Sequence, residues 1–447
     1  MLDIRRILGL AWPILIGQLA IIAFGVMDTA MAGRYSPLDL AALGLGSSIY
    51  VSVYISLTGI IAALQPIVGQ LFGARRLLEV GAAVRQAAWL ALALTLLGSL
   101  LLYFPGPLLR LTEADAHLTG RTLAYLRVLA LGLPASLMFR IYTSLSNGIA
   151  RPRFVMAIQV GALLLKIPAN VWFIFGGLGM PALGGVGCAL ASTLINWGTG
   201  VLAVVLMMRH PVYRSYGIFR TFCWPNRAQQ IDLLKLGVPM GLSYLIEVTA
   251  YTFLALFIAR FGTTQLAGHQ IAANLGAVLY MTPLAIGIAT STLVAQHLGA
   301  GEAQHARTVS RLGLALGFSI ALGYALVMVA TRPWIIAAYT PDPGVAAAAM
   351  PLLLLVACYH PWDALQCISA FILRGHKIAV VPTLIYAIAL WGVGIYGGYY
   401  FGFDVPGTIP HALTGASGFW FASCLSVAAA ALMLVAYWHW KFNRRPA

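Results

Sequence analysis

Three carboxylates lie where carboxylates are expensive. Asp28 sits in LAIIAFGVMDTAMAG, Glu247 in MGLSYLIEVTAYTFLALFIAR and Asp363 in LLVACYHPWDALQCISAF, all strongly apolar stretches. A charged side chain at mid-bilayer depth costs about 2.5–3.5 kcal/mol on insertion scales, so each acid needs a compensating reason. One reason is proton exchange: desolvated carboxylates, above all two close together, can trade protons near neutral pH. Another is a bound cation, because carboxylate, carbonyl and hydroxyl oxygens are the hard ligands that an ion such as Na⁺ accepts. The ordinary alternative is a structural acid. It would be paired with Arg127 or Lys166, the basic residues inside the spans, or would accept hydrogen bonds at a helix break.

Residues near these acids extend the pattern. Tyr251 follows Glu247 by one helical turn and Tyr359 precedes Asp363 by one turn, so each shares a face with its acid. Tyr280 lies in the next span after Glu247. Aromatic rings beside acids can hold an organic cation by cation–π contact, although aromatics in membrane helices more often pack or anchor. Asn170 follows Pro168, which frees a carbonyl and bends its helix; Asn170 can join Asp28 or bond locally. The five cysteines have no paired spacing and read as small apolar side chains. His269, His297, His360 and His376 have no metal-ligand spacing. Walker A, HExxH and GxGD motifs are absent, so neither an ATP-driven pump nor an intramembrane enzyme is expected, and no cofactor is implied.

The elements that must hold these residues are membrane helices. The chain has 447 residues, 61% hydrophobic and 9% charged, with a mean hydropathy of +0.88. Soluble domains carry roughly 25% charged residues. The apolar runs reach the roughly 20 residues that cross a bilayer and do not alternate as barrel strands would. Twelve spans are expected, from 7–33 to 183–208 in the first half and from 231–260 to 410–440 in the second. The net charge of +15 comes from short loop clusters, which fit the positive-inside rule and not a nucleic-acid surface. Twenty Lys and Arg, from Arg5 and Arg6 to Arg444 and Arg445, fall on the side of the termini. Five fall opposite: Arg34, Arg110, Arg121, Arg260 and Arg332. Both termini are therefore expected in the cytoplasm. The first span has no cleavage site after it and is expected to be retained.

The chain repeats. At an offset of 226, Pro13 matches Pro239, Arg34 matches Arg260, Val68 matches Val294, and Gln70-x-x-Gly73-Ala74 matches Gln296-x-x-Gly299-Ala300. Arg85 matches Arg311 and Pro107 matches Pro333 in the same register. At 227, Asp115 matches Asp342, Pro134 matches Pro361 and Gly148 matches Gly375. This divides the chain into an N-lobe at 1–208, a cytoplasmic linker at 209–230 and a C-lobe at 231–447, each lobe with six spans. An even number per lobe makes the repeats parallel, as in some secondary transporters. The acids are not repeated. Asp28 faces Leu254, Glu247 faces Ile21 and Asp363 faces Ser136. Glu247 and Asp363 lie at similar depth and can share a proton or Na⁺.

Several stretches carry a family resemblance: VMDTAMAG (26–33), DLAALGLGSS (39–48), NGIARPRF (147–154), KIPANVWFIFGGLGMPALGGVGCALAS (166–192), GLSYLIEVTAYTF (241–253), LYMTP (279–283) and PWDALQCISAFILRGHKIAVVP (361–382). They spread over the whole chain, which resembles a multidrug and toxic compound extrusion (MATE) transporter of the NorM branch. The resemblance implies an all-α protein with twelve transmembrane helices in two six-helix repeats around a V-shaped central cavity. It also implies export of cationic and amphipathic drugs in exchange for Na⁺ or H⁺, from a bacterial inner membrane. The family's cation-site acids fall on Asp28, Glu247 and Asp363, its aromatics on Tyr251, Tyr280 and Tyr359, and its N-lobe asparagine on Asn170. Ion coupling is thus expected of Glu247, Asp363, Asp28, Asn170 and Tyr359, with Na⁺ held by Glu247, Asp363 and Tyr359. Substrate contact is expected of Asp28, Tyr251, Tyr280, Glu247 and Asp363. Members that couple H⁺ in the N-lobe carry a second acid one turn after the asparagine. Here that position is Ile174, which favours the C-lobe pair as coupling centre, and because Na⁺-coupled members of this branch share the Glu247 and Asp363 motifs the resemblance implies Na⁺ rather than H⁺. A monomer among membrane lipids is expected. The alternative, a flippase for lipid-linked precursors, calls for cavity Arg or Lys, whereas three acids outnumber two basic residues in these spans.

Overall fold

The computed structural model describes residues 2–106, 109, 115–177 and 179–443. Among them are twelve helices long and apolar enough to cross a membrane. We label them α1 (Leu2–Tyr35), α2 (Pro37–Gly73), α3 (Leu77–Tyr103), α4 (Ala116–Gly148), α5 (Pro152–Phe175) and α6 (Gly185–Arg209). The second set is α7 (Arg227–Ala259), α8 (Thr263–Gly299), α9 (Ala303–Tyr339), α10 (Pro343–Gly375), α11 (Val380–Gly402) and α12 (Gly415–Phe442). The helices run past the apolar spans because helix, once started, continues at little cost until a cap or breaker ends it. Pro107, Arg110, Arg444 and Arg445 fall outside the described residues.

The helix ends carry the repeat into three dimensions. Both ends of α2 and α8 are 226 residues apart, and both ends of α4 and α10 are 227 apart. The matched Asp115 and Asp342 are the N-caps of α4 and α10. Asp115 Oδ1 accepts from the Leu118 amide at 2.7 Å, and Asp342 Oδ1 accepts from the Gly344 amide at 2.7 Å. Each satisfies an amide that the helix leaves unpaired, worth about 1 kcal/mol. After α4 and α10 the chain turns through a left-handed residue, Ala150 and Lys377, both at φ 58°. These positions are again 227 apart, and neither is the glycine such a turn favours.

The matched Gly148 and Gly375 have a packing reason. A Cβ on Gly148 would lie 2.7 Å from Val68 Cγ1 and 3.0 Å from the Gln65 carbonyl oxygen. One on Gly375 would lie 3.3 Å from Val294 Cγ1 and 3.0 Å from the Ser291 carbonyl oxygen. The same α4–α2 approach is thus built a second time as α10–α8, with Val68 and Val294 as the matched knobs.

The chain forms two compact units, one of residues 16–241 and one of residues 1–15 with 242–447. Their edges differ from the sequence halves. The start of α1 belongs to the second unit because Ile7, Ala11 and Ile14 are buried in a cluster with Ile246, Ile286, Ile368 and Leu434. The start of α7 belongs to the first because Gly237 and Gly241 leave room for the Ile60 and Ser56 carbonyls of α2, and Leu233 joins that unit's core. The polar connection 209–230 is no loose tether, since Tyr213, Tyr216 and Ile218 are buried in the same core.

Filling these close approaches overpacks the helix pairs, at a cost of about 1–3 kcal/mol each. Gly148→Leu and Gly375→Leu are expected to lower the thermal unfolding midpoint in detergent. Gly161→Leu, with nothing within 4 Å of its Cβ position, is expected to leave it unchanged.

Candidate functional site

In the first unit, α1, α5 and α6 bring Asp28 to two partners. Lys166 Nζ donates to Asp28 Oδ2 at 2.6 Å, and Asn170 Nδ2 donates to Asp28 Oδ1 at 2.7 Å. Lys166 and Asn170 are four residues apart on α5, so both point at α1 from one face. Lys166 Nζ also donates to Ser192 Oγ at 2.9 Å and lies 4.8 Å from the Phe24 ring centroid. Asp28, Lys166 and Asn170 are all buried. Both carboxylate oxygens are satisfied and the acid carries a counter-charge. Of the readings open for Asp28, pairing with Lys166 and contact with Asn170 are what the fold assembles. Arg127 goes elsewhere, 5.1 Å from the Tyr103 ring centroid. Asn170 Oδ1 has no hydrogen-bond partner, which leaves an acceptor beside the pair. Ile174 is fully buried, so the place of the family's second acid is apolar packing.

In the second unit the polar residues are spread along three helices. Glu247 lies on α7, Tyr280 on α8 and Asp363 on α10, with the Tyr280 hydroxyl beside Glu247. The same hydroxyl accepts from Cys367 Sγ at 3.6 Å. Asp363 accepts from Gln366 Nε2 at 2.9 Å, and the Tyr359 hydroxyl one turn earlier lies beside it. The Tyr251 and Tyr359 hydroxyls meet at 2.8 Å and so join α7 to α10. Phenols thus stand beside both acids, Tyr280 by Glu247 and Tyr359 by Asp363. Within this unit no basic side chain bonds Glu247 or Asp363 among the described contacts, in contrast to Asp28.

A small cavity opens on this network. Glu247, Tyr251, Tyr359 and Gln366 line its polar part, and Leu254, Phe257, Phe419 and Trp420 its apolar part. Residues 387–396 of α11 form a π-helix whose Leu390, Gly394 and Ile395 make another wall. Gly394 and Ala389 admit Ser426 of α12, which donates to the Ala389 carbonyl at 2.8 Å. Widened helical turns of this kind are uncommon and often mark functional sites. The composition of α11 gave no sign of it.

Two side chains in this site were not singled out by sequence. Gln366 holds Asp363 with its amide nitrogen, while its buried Oε1 has no partner. Arg374, at the end of α10, is one of the twenty Lys and Arg assigned to the side of the termini, yet it is 3% exposed. It donates to the Tyr244 hydroxyl at 2.8 Å, its guanidinium lies 4.6 Å from the Phe371 ring centroid, and its charge reaches Glu247. A spacing of i, i+3 from Asp363 could have pointed to Gln366; nothing local separates Arg374 from a snorkelling loop arginine. Among the described residues no three His, Cys, Asp or Glu gather as a metal site, so a cation here would rely on phenol and amide oxygens beside the two acids.

Twelve apolar helices, a six-helix plan used twice, and buried charges placed differently in each use define a polytopic membrane transporter. The chain belongs to the MatE family, whose sequence model matches residues 13–172 and 239–400. It is a NorM-like member. It is 38% identical over 428 residues to a protein of Aromatoleum aromaticum named probable multidrug resistance protein NorM, covering 96% of this chain and 92% of that one. It is 36% identical to multidrug resistance protein PmpM of Pseudomonas aeruginosa, covering 97% and 90%. Among solved structures it matches an outward-facing MATE family multidrug resistance transporter with a TM-score of 0.89 at 18% identity, over 99% of this chain and 96% of that one. The Vibrio cholerae MATE transporter VcmN in its bent form gives a TM-score of 0.86 at 18% identity, over 99% and 97%. At such identity these structures speak for the fold.

Removing one partner of a buried ion pair leaves an uncompensated charge and costs about 3–5 kcal/mol. Lys166→Met is therefore expected to lower thermal stability strongly, and Asp28→Asn added to it to restore most of the loss. A double-mutant cycle on unfolding midpoints checks this.

Proposed function

We propose that the chain is a cation-coupled antiporter that exports cationic and amphipathic compounds by alternating access, with Na⁺ rather than H⁺ as the coupling ion. Family membership makes it a transporter and not an enzyme. The names of its relatives support multidrug export. The observation that carries the coupling reading is the contrast between the acids. Asp28 has a lysine in direct contact, whereas Glu247, which lines the cavity, and Asp363, held by Gln366, have no basic side chain bonded to them, and Arg374 acts on Glu247 only through its charge. Buried carboxylates without a directly bonded counter-charge favour a cation from solution, or a proton, to offset their charge. The phenol oxygens of Tyr359 and Tyr280 and the free Gln366 Oε1 add hard donors, which supports Na⁺.

In this reading Glu247, Asp363 and Tyr359 bind the coupling ion. Tyr251 and Tyr280 line the same site and offer their ring faces to an organic cation. Asp28 contributes differently. Its cation is tethered, so a substrate or proton that engages Asp28 competes with Lys166 and leaves Asn170 to stabilise the carboxylate. The protein works as a monomer in the bacterial inner membrane with both termini in the cytoplasm, as the Lys and Arg distribution supports. The flippase reading loses ground because the buried Lys166 is already matched by an acid and the buried Arg374 is held by the Tyr244 hydroxyl and the Phe371 ring, so neither awaits an anionic headgroup.

Glu247→Gln and Asp363→Asn are each expected to abolish ethidium efflux while leaving the protein folded in the membrane. Undiminished efflux in both would overturn the C-lobe site. In proteoliposomes with independently imposed gradients, an inward Na⁺ gradient at fixed pH is expected to drive drug transport. Transport driven by a pH gradient alone would make H⁺ the coupling ion.

A further inference from the structure

The connection between α6 and α7 ends in a strap bound to the side of α3. Three side chains of α3 hold its backbone. Arg85 Nη1 donates to the Gly217 carbonyl at 3.0 Å and to the Ile218 carbonyl at 3.2 Å. Gln86 Nε2 donates to the Trp224 carbonyl at 3.0 Å, and its Oε1 accepts from the Asn226 amide at 2.9 Å. Trp89 Nε1 donates to the Cys223 carbonyl at 2.9 Å. Gly81 permits the approach: a Cβ there would lie 2.0 Å from the Tyr216 carbonyl oxygen. A segment tied at five backbone groups keeps a fixed height along α3.

Its outward face is unusual for a polar connection. Phe222 is 72% exposed and Trp224 75%, although both rings pack at Trp89, at centroid distances of 6.1 Å. Phe219 and Leu78 are exposed beside them. The height is set by α3. Leu92, Leu96 and Leu100 are exposed and follow Trp89 at three- and four-residue steps, so they form an outward apolar stripe. The aromatic cluster therefore sits about one helical turn, some 5 Å, beyond the stripe that faces hydrocarbon. That is the headgroup level, where Trp and other amphipathic rings are favoured. Arg209, Arg214, Arg220 and Arg227 are exposed on the same connection. The acids nearby in sequence are Glu79, which pairs with Arg76, and Asp232.

We propose that residues 214–227 form an interfacial anchor that seats Phe219, Phe222 and Trp224 among lipid headgroups and binds anionic phospholipid through Arg214, Arg220 and Arg227. The rigid backbone means that the rings are presented before the lipid arrives, so little ordering entropy opposes binding. Basic residues at a membrane surface add attraction that falls off within a Debye length, so the anchor favours anionic over zwitterionic lipid and weakens in high salt.

The test uses the full chain in nanodiscs of phosphatidylcholine with phosphatidylglycerol. A spin label is placed by Phe222→Cys in a background whose native cysteines are alanine. The label is expected to be relaxed more by oxygen than by a water-soluble nickel chelate. The triple variant Arg214→Gln, Arg220→Gln, Arg227→Gln is expected to reduce phosphatidylglycerol retained relative to phosphatidylcholine by about tenfold. All three residues are exposed, so folding is unaffected. Preferential relaxation by nickel places the strap in water and overturns the proposal. So does unchanged lipid retention in the triple variant. Shielding from both reagents together with cross-linking between copies assigns the face to a second chain and overturns it as well.

Discussion

A bilayer offers a buried charge no water, so every ionised group in a span must find its compensation inside the chain or bring it from solution. The structure gives both answers. Asp28 has a lysine at 2.6 Å and an asparagine at 2.7 Å. Glu247 and Asp363 have phenols and an amide beside them, and the Arg374 charge reaches Glu247 without a direct bond. The first arrangement is complete as it stands; the second is an incomplete shell beside a cavity. Around this difference the helices, their glycines and the widened turn of α11 are arranged.

The duplicated plan explains how one scaffold supports both. Caps, left-handed turns and glycine contacts recur at 226 or 227 residues, and these features fix helix ends and helix spacing. Side chains that face the interior of each unit are free to differ so long as the spacing holds. Lys166 occurs on α5, and its counterpart on α11 is Val393 within the π-helix. The position that carries compensating charge in one unit is thus uncharged in the other, next to Gly394 and Ile395 of the cavity wall.

Much of this was legible in sequence. Twelve helices follow from hydropathy, because crossing hydrocarbon demands a long apolar run with all its backbone groups bonded internally. Asp115, Asp342, Gly148 and Gly375 were visible as a repeat before their duties as caps and contacts were known. Asp28, Glu247 and Asp363 were conspicuous as acids in apolar runs. Other features were not legible. Arg374 resembles any basic residue at a helix end, and only packing shows it buried. The connection 209–230 has the proline and arginine content of a linker, yet Arg85, Gln86 and Trp89 bind it to a helix more than 120 residues earlier.

Sequence by itself determined the class of protein, the duplicated plan and the three acids, because those depend on composition and on spacing along one strand of chain. Tertiary structure decided how each acid is compensated. Asp28 meets Lys166 across 138 residues, and Tyr251 meets Tyr359 across 108. Such meetings depend on which helix faces pack together, and no local pattern encodes them. Hydropathy places a carboxylate in the membrane; only the neighbours that packing supplies decide whether it is already neutralised or still requires a cation.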